Sequence, residues 1–175
     1  MYLVSIYFDE KTNKIIQNYI NQVAEKTGNS FMLDGRVPPH ITISAFETKQ
    51  EEKTVQVLEK VASQIKREDL QWASVGEFFP YVIYLAPVLN KYLHTLSHKV
   101  YDGVKDLEDT QVSPYYRPFH WLPHTTIGKK LSQEEMRIAF EIMQNHFAMF
   151  SGTVTKIGLA KTNPYTDIVS WELRE

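Results

Sequence analysis

Two short segments of the chain each carry a histidine and a threonine at a spacing that suits phosphate chemistry. Residues 39–43 read PHITI and residues 123–127 read PHTTI. Because side chains alternate between the two faces of a strand, His40 and Thr42 would share one face, and His124 and Thr126 would share another. An imidazole can accept or donate a proton near neutral pH, and a hydroxyl can donate a hydrogen bond to a phosphate oxygen. Two such pairs around one phosphate would supply one general acid and one general base.

The two segments belong to a longer internal repeat. The offset of 84 residues between His40 and His124 also relates Glu51 to Glu135 and the Pro-Tyr pair at 80–81 to the one at 164–165. Residues 39–81 are therefore predicted to be repeated in residues 123–165, within one bilobal domain spanning residues 1–175. A pseudo-twofold axis between the repeats would bring the two His-x-Thr strands face to face.

Hydrophobic periodicity predicts the elements that position these strands. Each half is predicted to contain a strand, a helix, a short strand, the His-x-Thr strand, a second helix and a last strand. The short strand of the first half is predicted at 30–33. Capping boxes are predicted at 48–51 and 132–135, where a threonine or serine is followed three residues later by a glutamate. The predicted fold class is α+β, with two pseudo-symmetric lobes, antiparallel sheets lining a central cleft, and helices outside.

Composition limits the classes of function. The 175-residue chain of 20.4 kDa has a net charge of −2 and no cysteine, which excludes disulfides, thiolate metal sites and a cysteine nucleophile. The charge predicts no duplex DNA binding and only local contacts with nucleic acid. No apolar run approaches the roughly 20 residues of a membrane span, and the first residues have no signal-peptide pattern. A cytoplasmic monomer without membrane contact is expected.

The paired His-x-Thr segments, about half a chain apart, resemble the 2H phosphoesterase superfamily, in particular its bacterial 2'-5' RNA ligase and cyclic phosphodiesterase (LigT-like) branch. The resemblance covers nearly the whole chain. It implies catalysis by His40, Thr42, His124 and Thr126 without metal or cofactor, on a nucleotide or RNA end that carries a 2',3'-cyclic phosphate. The cyclic phosphate would open to a 2'-phosphate, and some members form 2'-5' RNA linkages. The resemblance favours His40 as acid and His124 as base. Thr125 departs from it, because an apolar residue is common there.

Further candidates for substrate binding are polar or aromatic residues near the two motifs. They are Tyr81, Tyr165, Trp121, Arg117, Ser44 and Lys129. The two tyrosines are equivalent in the repeat, and the loop before the second motif combines aromatic rings with a cation, which suits a nucleotide end. Ser44 would share the cleft face of Thr42, and Lys129 follows the second motif closely enough to contact phosphate. Packing or simple solvation is an alternative role for each of them.

Two other functions compete with this interpretation. His94 and His98 are four residues apart on a predicted helix, as zinc ligands can be, but the intervening residues lack the glutamate of a metalloprotease motif. We therefore predict that they are surface histidines. A non-catalytic nucleotide- or RNA-end-binding module could keep the same cleft, although such a module would have little use for two imidazoles. The sequence favours the enzyme.

Overall fold

The computed structural model describes all of residues 1–175. The strands are β1 (Tyr2–Phe8), β2 (His40–Glu47), β3 (Glu68–Phe78), β4 (Val82–Pro87), β5 (Gln111–Val112), β6 (Thr125–Lys129), β7 (Phe150–Lys161) and β8 (Thr166–Glu172). The helices are α1 (Glu10–Thr27), α2 (Phe31–Asp34), α3 (Glu51–Ser63), α4 (Lys91–Val104) and α5 (Gln133–His146), with a 3₁₀ turn at Pro114–Tyr116.

The strands form one antiparallel sheet in the order β5-β2-β1-β7-β3-β4-β6, and β8 pairs with β7. The central part of this order is symmetric about the seam between β7 and β3, because β2-β1-β7 on one side corresponds to β6-β4-β3 on the other. Each lobe combines both repeats: β7 of the second repeat pairs with β1 of the first, and β3 of the first pairs with β4 of the second. The predicted α+β fold with two pseudo-symmetric lobes is confirmed.

The sheet curves so that its two His-x-Thr strands meet. Although four strands separate β2 from β6 in the sheet order, the two strands contact each other. Helix α1 packs on α5 and on β6, and α4 packs on α3 and on β2. The helices therefore cover the outer face of the sheet, and the inner face forms the cleft.

The core lies between the outer face of the sheet and the helices. Ile41 and Ile43, which alternate with the motif residues of β2, are completely buried there, as is Ile127 in β6. Burial of each such side chain contributes about 1.5–3 kcal/mol to folding. The apolar positions of each motif thus hold its strand in place while the polar positions face the cleft.

Two local predictions are wrong. The predicted strand at 30–33 is a single helical turn, because Ser30 donates a hydrogen bond to Asp34 (2.6 Å) and the Asn29 side chain accepts one from the Phe31 N–H (3.1 Å). These short-range bonds close a helical turn in place of an extended segment.

The first of the two predicted capping boxes is also absent. Glu51 accepts a hydrogen bond from the Tyr2 hydroxyl (2.9 Å) and pairs with Lys161, so tertiary partners replace the local cap. The second box forms as predicted, because the Glu135 N–H donates to Ser132 Oγ (3.2 Å) and the Glu135 carboxylate accepts from the Ser132 N–H. No helix has the length and apolar character needed to cross a bilayer.

Candidate active site

The two motif histidines are held in the same way. The Nδ1 atom of His40 lies 2.8 Å from the carbonyl oxygen of Pro38, and that of His124 lies 2.8 Å from the carbonyl oxygen of Leu122. A carbonyl oxygen can only accept, so each Nδ1 carries the hydrogen. In each ring the Nε2 atom is left free to accept or donate a proton in the cleft.

Burial and nearby charges change the pKa values of the two histidines. Both are half-buried, and burial lowers the pKa of His40 below its usual value. The Pro38 carbonyl opposes this shift, charges on His124 and Lys129 lower the pKa further, and Asp167 raises it. Burial also lowers the pKa of His124, against the effect of the Leu122 carbonyl. The cleft therefore favours neutral imidazoles until a negative charge enters it.

A tyrosine accompanies each histidine. The Tyr7 ring lies 6.1 Å from the His40 ring, and the Tyr84 ring lies 5.4 Å from the His124 ring, measured between centroids. Tyr7 pairs with His40 across β1 and β2, and Tyr84 pairs with Thr126 across β4 and β6. Sequence reasoning missed both tyrosines, because they lie far from the motifs along the chain.

Each of these tyrosines lies over a glycine of the neighbouring strand. A Cβ atom on Gly76 would lie 2.6 Å from the Tyr84 ring, and one on Gly158 would lie 3.1 Å from the Tyr7 ring. A side chain at Gly76 would displace the Tyr84 ring, and one at Gly158 would press on the Tyr7 ring. A glycine inside a strand pattern signals such a close approach, so this feature could have been found in the sequence.

A β-bulge in β2 changes the predicted role of Ser44. Ser5 pairs with Thr42 but the preceding residue, Val4, pairs with Ser44, so Ile43 is an extra residue in β2. Paired residues share a face, and Val4 belongs to the core. The prediction that Ser44 faces the cleft is therefore wrong: its side chain is on the core face, 1% exposed, with its hydroxyl unpaired.

An equivalent β-bulge in β6 places Lys129 on the cleft side. Tyr84 pairs with Thr126 and Val82 pairs with Lys129, so Ile127 is the extra residue. Without the bulge, Lys129 would face away from Thr126, but with it both lie on the cleft side. Lys129 forms no ion pair, and its charge lowers the pKa of His40, so it is an unpaired cation near that histidine.

The motif threonines differ in their partners. Thr42 Oγ1 lies 3.4 Å from Ser5 Oγ and is nearly buried, whereas the Thr126 hydroxyl has no protein partner. Both belong to the face that carries the histidines. Two hydroxyls on this face could donate hydrogen bonds to the non-bridging oxygens of a phosphate.

The other predicted substrate contacts are not all near the histidines. The Tyr165 hydroxyl donates to Asp167 (2.7 Å) and lies 3.1 Å from the Tyr7 hydroxyl, which places it beside His40. Trp121 is buried, and its Nε1–H donates to the Thr42 carbonyl (3.0 Å), so its indole joins the two motifs.

The remaining two candidates lie away from the motif residues. Arg117 lines a separate cavity next to Lys105, and Tyr81 is 59% exposed in the turn between β3 and β4. The structure does not bring either side chain into contact with the motif residues.

Two cavities lie near the histidines; His124 lines one of them, and His40 lines neither. A polar cavity of about 640 Å³, lined by Tyr7, Lys156 and Asp167 among others, lies on the His40 side. On the other side an aromatic pocket of about 370 Å³ is lined by Phe78, Tyr115, Tyr116, His120, Trp121, Leu122 and His124. A third cavity, of about 1010 Å³, lies between β3 and α5 and is lined by none of the predicted site residues.

His94 and His98 lie on the surface of α4, outside the cleft. Their rings stack at 4.9 Å between centroids, and the Phe119 ring packs against both. No group of three or more histidine, cysteine, aspartate or glutamate side chains is arranged to hold a metal ion anywhere in the chain.

The chain also matches the model of a known family. The family model of the 2'-5' RNA ligase superfamily matches residues 15–165, a segment that contains both His-x-Thr motifs. The chain belongs to the 2'-5' RNA ligase superfamily. This places it among the 2H phosphoesterases, which are cyclic phosphodiesterase- or RNA ligase-like enzymes, and confirms the resemblance to the LigT-like branch.

Solved structures of similar proteins show the same fold over the full length of this superfamily member. Escherichia coli LigT complexed with 3'-AMP is 17% identical with a TM-score of 0.60, covering 99% of this chain and 98% of LigT. The protein TT0787 of Thermus thermophilus is 15% identical with a TM-score of 0.65, covering 99% and 97%. A crystal structure described as a phosphoesterase is 17% identical with a TM-score of 0.64, covering 99% and 98%. No curated protein sequence matches the chain.

The structure explains why this superfamily member carries Thr125 in its second motif. Thr125 is completely buried on the core face of β6, and its Oγ1 accepts a hydrogen bond from Trp72 Nε1 (3.1 Å). Trp72 is also completely buried, so its N–H needs a partner. An apolar residue at position 125 would leave that N–H unpaired.

Proposed function

We propose that this protein is a metal-independent phosphoesterase that opens a 2',3'-cyclic phosphate on a nucleotide or RNA end by acid–base catalysis with His40 and His124. One observation carries the proposal: two imidazoles, each with Nδ1 fixed on a backbone carbonyl and Nε2 without a protein partner, lie next to two strands that contact each other, and the charge of His124 lowers the pKa of His40. The whole chain, residues 1–175, would act as one bilobal unit, because each lobe supplies one histidine.

In the proposed reaction one neutral imidazole takes a proton from water through Nε2, and the water oxygen forms a new bond to phosphorus. The bond between phosphorus and O3' breaks, its electron pair stays on O3', and the imidazolium on the other side donates its proton there. The product carries a 2'-phosphate, and the two histidines have exchanged protonation states. In keeping with the family resemblance, we assign His40 as the acid and His124 as the base. A 5'-hydroxyl in place of water would give a 2'-5' linkage.

Other side chains would stabilise the transition state. Thr42 and Thr126 donate hydrogen bonds to the non-bridging oxygens, where negative charge accumulates, and Lys129 supplies a nearby positive charge. Tyr165 acts through its hydrogen bond to Tyr7, next to His40. Trp121 keeps the two motifs together.

Bound nucleotides in a structural relative support a nucleotide-like substrate. Escherichia coli LigT has been crystallised with 3'-AMP, ATP, NADP+ and phosphate. The polar cavity and the aromatic pocket near the histidines would each offer room for part of a nucleotide.

The test is hydrolysis of adenosine 2',3'-cyclic phosphate in the presence of EDTA, with the product phosphate located by ³¹P NMR. We expect adenosine 2'-phosphate, and a loss of kcat/KM of about 10²–10⁴-fold in both His40→Ala and His124→Ala, the typical contribution of a positioned proton transfer. His146→Ala is the matched control, because His146 is exposed at the end of α5.

Three results would contradict the proposal. Substrate binding by the wild-type protein with no turnover would identify a binding module. Activity abolished by EDTA and restored by a divalent cation would identify a metal enzyme. Full activity in either cleft-histidine variant would reject the two-histidine scheme.

A further inference from the structure

Part of strand β3 has a neighbouring strand on one side only. Trp72 pairs with Phe150 of β7 on one side and with Pro87 of β4 on the other, and the pairing with β7 ends there. Residues 74–78 continue beside β4 and pair with no second strand. Their outward-facing backbone groups form an open edge of the sheet, to which a further strand can be added.

The other lobe has a strand at the equivalent place. Strand β7 pairs with β3 through residues 150–154, and beyond this seam its residues 156–161 pair with both β1 and β8. Residues 156–160 of β7 and residues 74–78 of β3 lie the same number of residues beyond the end of the seam. In the pseudo-twofold arrangement, β8 therefore covers in one lobe the edge that β3 leaves open in the other.

Strand β8 shows what kind of segment such an edge accepts. Val169 and Trp171 of β8 pair with buried core residues of β7, and Leu173, directly after the strand, is also buried. Helix α3 packs on β8. A lone strand with an apolar side chain at every second position therefore fits between a sheet edge and a helix.

A groove of about 1010 Å³ lies beside the open edge of β3, and we call it the β3–α5 groove. Helix α5 corresponds to α3 in the repeat, so the groove has the same two walls as the position of β8, a strand edge and a helix. The strand side is lined by Ala73, Ser74 and Val75, and the helix side offers the apolar side chains of Phe140, Met143 and Phe147.

The charges of the β3–α5 groove favour a basic segment. Arg137 and Glu141 both line the groove, but Arg137 is paired with Glu134 (2.6 Å), whereas Glu141 forms no ion pair. A lysine or arginine in the groove would therefore meet an unpaired carboxylate. Residues 74–78 contain neither lysine nor proline, the residues that commonly keep other strands away from an edge.

We propose that the β3–α5 groove is a docking site for an extended segment of a partner protein, which adds a strand to the open edge of β3. The segment has apolar side chains at every second position, a lysine or arginine among the others, and no proline. Backbone hydrogen bonds to β3 provide affinity, and the apolar side chains against α5 provide selectivity. Docking here does not depend on the proposed reaction, because no residue that lines the groove belongs to the catalytic cleft.

The probes are three fluorescein-labelled peptides based on residues 166–175 of this chain. The natural sequence is TDIVSWELRE. The lysine peptide, TKIVSWKLRK, keeps the apolar positions and replaces each acidic residue by lysine. The proline peptide, TKIPPWKLRK, has two adjacent prolines, one of which must face β3 and cannot donate a hydrogen bond to it.

Fluorescence anisotropy measures the affinity of each peptide for the wild-type protein. We expect saturable binding of the lysine peptide, and binding weaker by about tenfold or more for the proline peptide, which loses backbone hydrogen bonds. The natural sequence should bind about three- to fivefold more weakly than the lysine peptide, because its acidic side chains meet Glu141. This difference should shrink in high salt.

A single thiol locates the binding site, because the chain has no cysteine. Gln144 is exposed and lines the groove, so Gln144→Cys carrying a bulky maleimide should no longer bind the lysine peptide. Lys60→Cys with the same label is the matched control. Lys60 is the equivalent of Gln144 in the 84-residue repeat and is exposed on α3, in the lobe where β8 already occupies the edge. Its labelled variant should bind as the wild-type protein does.

Amide hydrogen exchange reports on the edge itself. Exchange of residues 74–78 should slow when the lysine peptide is bound, because their outward N–H groups gain acceptors. Unchanged exchange in the saturated complex would show that the peptide does not pair with β3 and would overturn the docking site.

The binding measurements can reject the proposal in three further ways. No saturable binding of the lysine peptide, or equal affinities for the lysine and proline peptides, would overturn it. Full affinity in labelled Gln144→Cys would place the peptide elsewhere on the protein. A wild-type dimer in sedimentation velocity that becomes monomeric in labelled Gln144→Cys would show that the edge pairs with a second copy of this chain, which excludes the partner segment.

Discussion

At the scale of single residues, the two cleft histidines are imidazoles whose surroundings disfavour the protonated form. Burial lowers the pKa of each ring from the ordinary value of 6.5, and for His40 the charges of His124 and Lys129 add to this effect. Acid–base catalysis needs one ring protonated and the other neutral. The pH range in which that state is populated therefore lies below the pKa of a free histidine.

The pH dependence of kcat/KM tests this directly. We expect a bell-shaped profile with its maximum below pH 6.5, because kcat/KM reports the free enzyme and both of its essential pKa values are lowered. The alkaline limb reflects loss of the proton from the acid, and the acid limb reflects protonation of the base. Initial rates with adenosine 2',3'-cyclic phosphate between pH 4.5 and 8.5 would measure it. A flat profile, or a maximum above pH 7, would contradict the assigned roles.

Thr125 illustrates a motif position whose role is structural. Thr125→Val keeps the shape of the side chain but removes the acceptor for the buried Trp72 N–H. We expect the free energy of unfolding to fall by about 1–3 kcal/mol, the cost of an unpaired buried polar group. Urea denaturation followed by tryptophan fluorescence would measure the change. Thr166→Val is the control, since Thr166 is exposed, and equal stability of the two variants would argue against this hydrogen bond.

At the scale of elements, the sequence predicts that the two motif segments are strands, but it does not predict the β-bulge in each of them. Strict alternation along β2 places Ser44 in the cleft, and one extra residue moves it to the core face. Strict alternation along β6 would turn Lys129 away from Thr126, so Lys129, predicted as a phosphate contact from its position after the motif, reaches the cleft side only because of the bulge. A bulge is a property of the pairing with a neighbouring strand, here β1 or β4, which is distant in sequence. The histidines and threonines precede the bulges, so their predicted common faces are unaffected.

Each cleft tyrosine packs closely on a glycine of the neighbouring strand. The variant Gly76→Ala tests whether this packing positions His124. The new Cβ would lie 2.6 Å from the Tyr84 ring, which must move, and the His124 ring is its neighbour. We expect kcat/KM to fall by about 10–100-fold, since misplacement of a catalytic group by about 1 Å can cost 10²-fold. Gly35→Ala is the control, because its Cβ would meet no atom closer than 3.6 Å. Wild-type activity in Gly76→Ala would show that Tyr84 does not position His124.

At the scale of the whole molecule, the distance between the histidines depends on the seam between the lobes. β3 and β7 pair there over only five residues, Glu68–Trp72 with 150–154. Trp72 and Phe150 stack across the seam at 4.9 Å between centroids. The repeat in the sequence predicted two lobes facing each other, but it could not show which strands form the seam, because pairing across the axis leaves no periodic signal.

Phe150→Ala should loosen this seam. We expect kcat per folded molecule to decrease. The reason is that the two histidines belong to different lobes, so the distance between them would vary more. Steady-state kinetics, at a temperature where circular dichroism shows the variant to be fully folded, would measure the effect. Phe119→Ala is the control, since the Phe119 ring packs on His94 and His98 of α4 and is not part of the seam. Equal kcat values for the two variants would indicate that the seam does not control the geometry of the cleft.

Because strands of one repeat pair with strands of the other, dividing the chain between the repeats would disrupt both lobes. β7, from the second repeat, lies between β1 and β3 of the first, so neither repeat alone can complete a lobe. A polypeptide ending near residue 80 would leave the edges of β1 and β3 without partners, as templates for aggregation. Co-expression of the two halves should restore both the sheet and the paired imidazoles, so the protein lends itself to a split-enzyme reporter.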